Sequence, residues 1–227
     1  MIISHTHQFI FIKSAKTAGT SIEAALSNHC SENDIVTPLY DYEFNRDENG
    51  QWIHHSMNYD DFHQHDSAIN IRDKIGKDMW DSYFKFSIAR NPWDRVVSLF
   101  NWKGRNDPSL RPRKRFYHRI GVPFNELRET KALFSEFVNG DWMTNDRFYV
   151  IDDELCVDFI IRYENLSGDF SEVCSRIGLD NIDLPHLKSG FRKGYHYSAY
   201  YNEQSKSVVA DRHSNDIRLF GYRFESE

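Results

Sequence analysis

The feature that most constrains the fold is a handover from strand to helix that the sequence makes three times. Phe9-Ile10-Phe11-Ile12 is a short unbroken apolar run, the pattern of a strand buried on both faces of a parallel sheet. It passes through Lys13-Ser14-Ala15-Lys16-Thr17-Ala18-Gly19-Thr20-Ser21 into Ile22-Glu23-Ala24-Ala25-Leu26, which reads as a helix. Tyr83 to Ala89 is again strand-like and runs into Arg90-Asn91-Pro92, where Asn91 suits an N-cap and Pro92 a first helical residue. That helix carries Val96, Val97, Leu99 and Phe100 inward. The third handover joins Cys156 to Ile161 with Arg162-Tyr163-Glu164-Asn165-Leu166 and a helix to about Ile177. A last helical stretch is expected from Ser205 to Phe220. Alternation of this kind specifies an α/β fold, a central parallel sheet flanked by helices.

A chain of 227 residues fits one domain and can bury roughly 70% of the surface its unfolded form exposes. Neither an internal repeat nor a low-complexity tract marks a boundary, so residues 1–227 are read as one domain, with polar, irregular insertions at about 31–78 and 104–128. No apolar run approaches the roughly 18 residues of a membrane span. The N-terminus shows no basic stretch leading into an apolar one, so no signal peptide is expected and the cytoplasm is the expected location. Cys30, Cys156 and Cys174 are widely spaced, signalling neither a disulfide framework nor a zinc site. A formal net charge of −6 argues against nucleic acid as a partner.

The first turn carries the strongest chemical signal. Lys16-Thr17-Ala18-Gly19-Thr20-Ser21 places a cation, three hydroxyls and small residues where a strand ends and a helix begins. The amides of such a turn, at the positive end of a helix dipole, suit a phosphate or sulfate. It is not a Walker A loop, because its lysine precedes the single glycine instead of following one. The plainer reading is a small-residue turn that lets helix and strand pack closely. At the second turn Arg90 could fork onto a phosphate and Ser98 could add a hydrogen bond. An arginine beside an Asn-Pro cap serves structure just as readily.

Taken together, Lys16 to Ser21 and Arg90 to Ser98 resemble the two signatures of the sulfotransferase superfamily that uses 3′-phosphoadenosine-5′-phosphosulfate (PAPS): the 5′-phosphosulfate loop and the 3′-phosphate site. The likeness is greatest to the carbohydrate sulfotransferase branch and its bacterial relatives, and it continues through Arg162 to Leu166 and Asp216 to Tyr222. It implies a P-loop-like three-layer fold and transfer of a sulfuryl group from PAPS to an acceptor hydroxyl, leaving adenosine 3′,5′-bisphosphate, with no metal required. By the same resemblance Lys16 stabilises the leaving group. Lys13, Lys16, Thr17, Ala18, Gly19, Thr20 and Ser21 hold the 5′ end of the donor, and Arg90 and Ser98 hold its 3′-phosphate. The base is expected at His55, with His54 next in line, since imidazole titrates near operating pH.

Two places depart from the family pattern. The family turn often has proline before its lysine, whereas Ala15 stands here with Lys13 as a second cation, which implies a looser turn. Phe191-Arg192-Lys193-Gly194 is similar to an element that binds the 3′-phosphate in cytosolic sulfotransferases, and this assigns Arg192 a phosphate contact or, alternatively, a place in a basic surface loop.

The acceptor is expected to be a glycan or small metabolite. The basic run of Lys103, Arg105, Arg111, Arg113, Lys114, Arg115 and Arg119 suggests an anionic one. His5-x-His7 and His63-x-His65 are weak metal signals without acidic or cysteine partners. Two rival readings are a binding module of the same fold that transfers nothing and a nucleotide kinase. The kinase would need ATP, Mg²⁺ and a Walker lysine.

Overall fold

The apolar runs that open each handover become neighbours in one sheet. The computed structural model describes residues 1–39, 54–112, 125–180, 182–185 and 195–226. Strands β1 (Ile2–Ser4), β2 (Phe9–Ile12), β3 (Ile35–Val36), β4 (Phe84–Ala89) and β7 (Phe159–Arg162) lie in the order β3-β1-β2-β4-β7. β2 pairs parallel with β4, Phe11 opposite Phe86, and β4 pairs parallel with β7, Ile88 opposite Ile161. β5 (Val150–Ile151) and β6 (Glu154–Leu155) form a separate two-stranded ribbon.

The expected parallel sheet is therefore its centre, and the far side is antiparallel. β1 pairs with both β2 and β3 in opposite sense. A short reversal suffices for an antiparallel neighbour, whereas each parallel pair needs a crossover. Gln8, at φ 51, sits in that reversal.

The chain divides into two compact units, Met1–Arg90 with Asn145–Ser189, and Asn91–Thr144 with Gly190–Glu227. The first holds the sheet. Helices α1 (Gly19–Ser27) and α6 (Leu166–Arg176) bury Ile22, Leu26, Phe170 and Val173 against Phe9, Phe11, Phe86 and Ile161, all 2% exposed or less. Phe11 stacks on Phe86 at 5.1 Å between centroids. Each such side chain contributes about 1.5–3 kcal/mol by burial. Of two further helices of this unit, α2 (Ala68–Ile75), capped by Ser67, lies inside the stretch expected to be irregular, and α3 (Lys77–Ser82) begins at its end.

The second unit is helical. α4 (Pro92–Lys103), α5 (Glu126–Asn139) and α7 (Glu203–Arg212) pack through Val96, Phe100, Phe134, Phe137, Tyr200 and Val209. The single C-terminal helix expected from Ser205 to Phe220 is broken at His213, after which α8 (Ser214–Phe220) begins. The ring of buried His213, at the break, stacks on Trp142 at 5.5 Å and its Nδ1 bonds the Asp216 carboxylate. Among the described residues no helix is long and apolar enough to cross a membrane.

Candidate functional site

The turn between β2 and α1 is shaped by residues far from it in sequence. All four carbonyls from Lys13 to Lys16 accept hydrogen bonds from side chains. His65 Nδ1 donates to Lys13 O at 2.9 Å, Asn145 Nδ2 to Ala15 O at 2.9 Å and Arg90 Nη1 to Lys16 O at 2.9 Å. Thr17 shares its one proton between Ser14 O at 3.2 Å and Ser14 Oγ at 2.7 Å, while Ser14 Oγ donates to Ile88 O of β4 at 2.6 Å. A carbonyl occupied in this way is not free to repel an anion.

The turn ends in unusual backbone. Lys16 (φ 65) and Ala18 (φ 67) are both left-handed, a conformation that costs an L-residue about 1–2 kcal/mol. Ala18 occupies the N-cap of α1 and has no side-chain acceptor, so the helix begins without a cap of its own. Gly19 is required by contact: a Cβ there would stand 2.8 Å from Lys13 Cγ.

The residues expected to hold the donor thus divide by what they touch. Lys16 and Ala18 are half-buried at the turn. Gly19, Thr20 and Ser21 open α1 and are buried. Thr17 is fully buried and braces the turn from within. Lys13, 3% exposed, sends its ammonium to the Glu23 carboxylate and, at 3.2 Å, to Gln64 Oε1. Glu23 also takes the Met1 amino group and, at 2.8 Å, the Thr37 hydroxyl. Burial alone would raise the pKa of Glu23, but Lys13 and the amino group hold it down at about 2, so it stays ionised. Arg90 stacks on Tyr163 at 3.9 Å besides reaching Lys16. Ser98 is half-buried in α4 of the second unit. Arg192 and the basic residues Arg113, Lys114, Arg115 and Arg119 lie outside the described residues.

The histidines separate sharply. His55 is exposed. His54 is 6% exposed; its Nε2 donates to Thr37 O at 2.9 Å, and its buried Nδ1 has no partner among the described residues. Burial, then the positive charge of Lys13, lowers its pKa. His65 is half-buried and tied to the turn itself. Because Lys13 O can only accept, Nδ1 carries the proton and Nε2 the lone pair. Burial and then the charge of Lys13 bring its pKa down to about 4. The sequence signalled His65 only as half of a weak metal pair. Asn145 gave no signal at all. Among the described residues no group of three or more His, Cys, Asp and Glu side chains could hold a metal ion.

A model described as the sulfotransferase family matches residues 1–223. The chain belongs to the sulfotransferase family. Among curated proteins, carbohydrate sulfotransferase 10 of Xenopus laevis is 27% identical over 189 residues, 69% of this chain and 51% of its own length. The Homo sapiens protein of that name is 27% identical over 63% of this chain and 48% of its own length. An uncharacterized protein of Archaeoglobus fulgidus is 35% identical over 124 residues, 52% of this chain and 87% of its own length. The chain spans about half the length of the carbohydrate sulfotransferases it matches. No solved structure matches it.

Proposed function

We propose that this sulfotransferase-family chain moves a sulfuryl group from PAPS to an acceptor hydroxyl on a glycan or small metabolite. The observation that carries the reading is the turn from Lys13 to Gly19, with its carbonyls tied back by four side chains and the helix behind it left uncapped. Such a turn fits the 5′ end of a phosphorylated donor. The carbohydrate class of acceptor is supported by the names of the relatives above.

The donor supplies the sulfuryl group; the chain binds and balances charge. Lys16 neutralises the negative charge that grows on the phosphate oxygen as its bond to sulfur breaks, which favours the transition state over the ground state. The amides of Gly19 and Thr20, with the Thr20 hydroxyl, hold the 5′-phosphate. By the family resemblance Arg90 holds the 3′-phosphate. Lys13 serves the turn through Glu23.

For the base, His65 has the better claim. Its tautomer is fixed by Lys13 O, leaving Nε2 to take the acceptor proton, and the negative charge of a bound donor would raise its low pKa toward neutrality. His55, favoured by resemblance alone, is the alternative.

Adenosine 3′,5′-bisphosphate without metal should raise the melting temperature, and ATP with Mg²⁺ should not do so comparably; the reverse order would favour a kinase. Labelled sulfate should pass from donor to an acceptor pool with the native chain and with His55→Ala, and only weakly with His65→Ala. Undiminished transfer by His65→Ala would return the base to His55. Donor binding without transfer to any acceptor would leave a non-catalytic nucleotide-binding module.

A further inference from the structure

We propose that Asn145 is a positioning residue for Lys16, a role that rests on the donor site described above. Asn145 is 2% exposed and gives both halves of its amide to a single residue: Oδ1 accepts from Ala15 N at 3.3 Å and Nδ2 donates to Ala15 O at 2.9 Å. This is how a paired strand would hold a residue, achieved by one side chain from 130 positions away.

The bond to Ala15 O fixes the peptide that enters Lys16, and the bond from Arg90 to Lys16 O fixes the peptide that leaves it. With both flanking peptides held, the φ and ψ of Lys16 are set from outside. That matters because Lys16 is left-handed at φ 65, a backbone state a lysine abandons unless its surroundings impose it. Release of the Ala15 peptide lets Lys16 relax to ordinary backbone and carries its ammonium away from the donor phosphate. Ala15 has an N–H that a proline in its place would lack, and Asn145 is the group that accepts it, so the side chain supplies the rigidity a ring would otherwise give.

The test is a double-mutant cycle on the full chain, with the affinity for adenosine 3′,5′-bisphosphate measured by calorimetry. Asn145→Ala and the near-isosteric Asn145→Leu should each weaken binding on the order of tenfold, the loss expected for two hydrogen bonds. In a Lys16→Ala background the same changes should cost less than about twofold, because nothing remains to be positioned. Equal losses in both backgrounds, or none in the native one, overturn the proposal while leaving the donor site standing. Unfolding of both variants overturns it too, since Asn145 would then be holding the fold and not the lysine. A native chain that does not bind the bisphosphate removes the donor site and the proposal with it.

Discussion

The β2–α1 and β4–α4 turns solve the same problem in opposite ways. At the second, Asn91 Oδ1 accepts from the amides of Trp93 at 3.1 Å and Asp94 at 3.5 Å, and Pro92 needs no partner at all, so the helix start is completed by its own sequence. At the first, the cap position is an alanine in left-handed backbone and the bracing comes from His65, Arg90 and Asn145. A helix that caps itself is finished structure. One without a side-chain cap, the carbonyls before it held by distant side chains, is the arrangement that the proposed donor site calls for.

That contrast can be broken at several points. The largest effect is expected at Lys16: alanine there should lower sulfate transfer about a hundredfold to a thousandfold with little change in melting temperature, as measured with labelled donor. A variant that transfers normally would reduce the first turn to packing. Gly19→Ala should come next, destabilising by about 1–3 kcal/mol in denaturant titration, because the new methyl must push Lys13 away from Glu23. Asn91→Ala should cost about 1 kcal/mol of stability and leave bisphosphate affinity intact, which is the sharpest statement of the difference between the turns. Ala18→Gly, which relieves left-handed strain, should gain less than about 1 kcal/mol.

A further test is the pH response of half-buried His65. Its folded pKa of about 4 lies below the 6.5 of the free side chain, so the unfolded chain binds more protons between those values. Stability should therefore be full above about pH 6.5 and fall as pH drops toward 4. A His65→Phe variant should lose that slope in pH-dependent melting.

The sequence made the three central strands legible because a buried parallel strand must be apolar on both faces, and Phe9–Ile12 and Phe84–Ala89 are close to that. Asn91-Pro92 marked the start of α4 to the residue, since capping is local chemistry. β1 and β3 were not legible: three and two residues are too few to show a period, and only pairing in the sheet makes them strands. α2 was hidden by its polar composition, with only Ala68 and Ile71 buried. At the turn, the residues within Lys13 to Ser21 announced themselves and the ones that hold them did not. Asn145 and His65 act across 130 and 52 positions, and an ordinary asparagine or histidine carries no mark of what it meets after folding. Lys13 shows the converse: its charge resembles a ligand for phosphate, while in the structure it lies buried against Glu23.

The chain leaves the first unit immediately after Arg90 and re-enters it at Asn145. Those two residues grip consecutive carbonyls of the β2–α1 turn, so the whole excursion from 91 to 144 is spliced between them. An engineer exchanging that stretch for the counterpart from another family member has natural seams just inside the pair, where a transplant would replace α4 and α5 without disturbing the host's hold on Ala15 and Lys16.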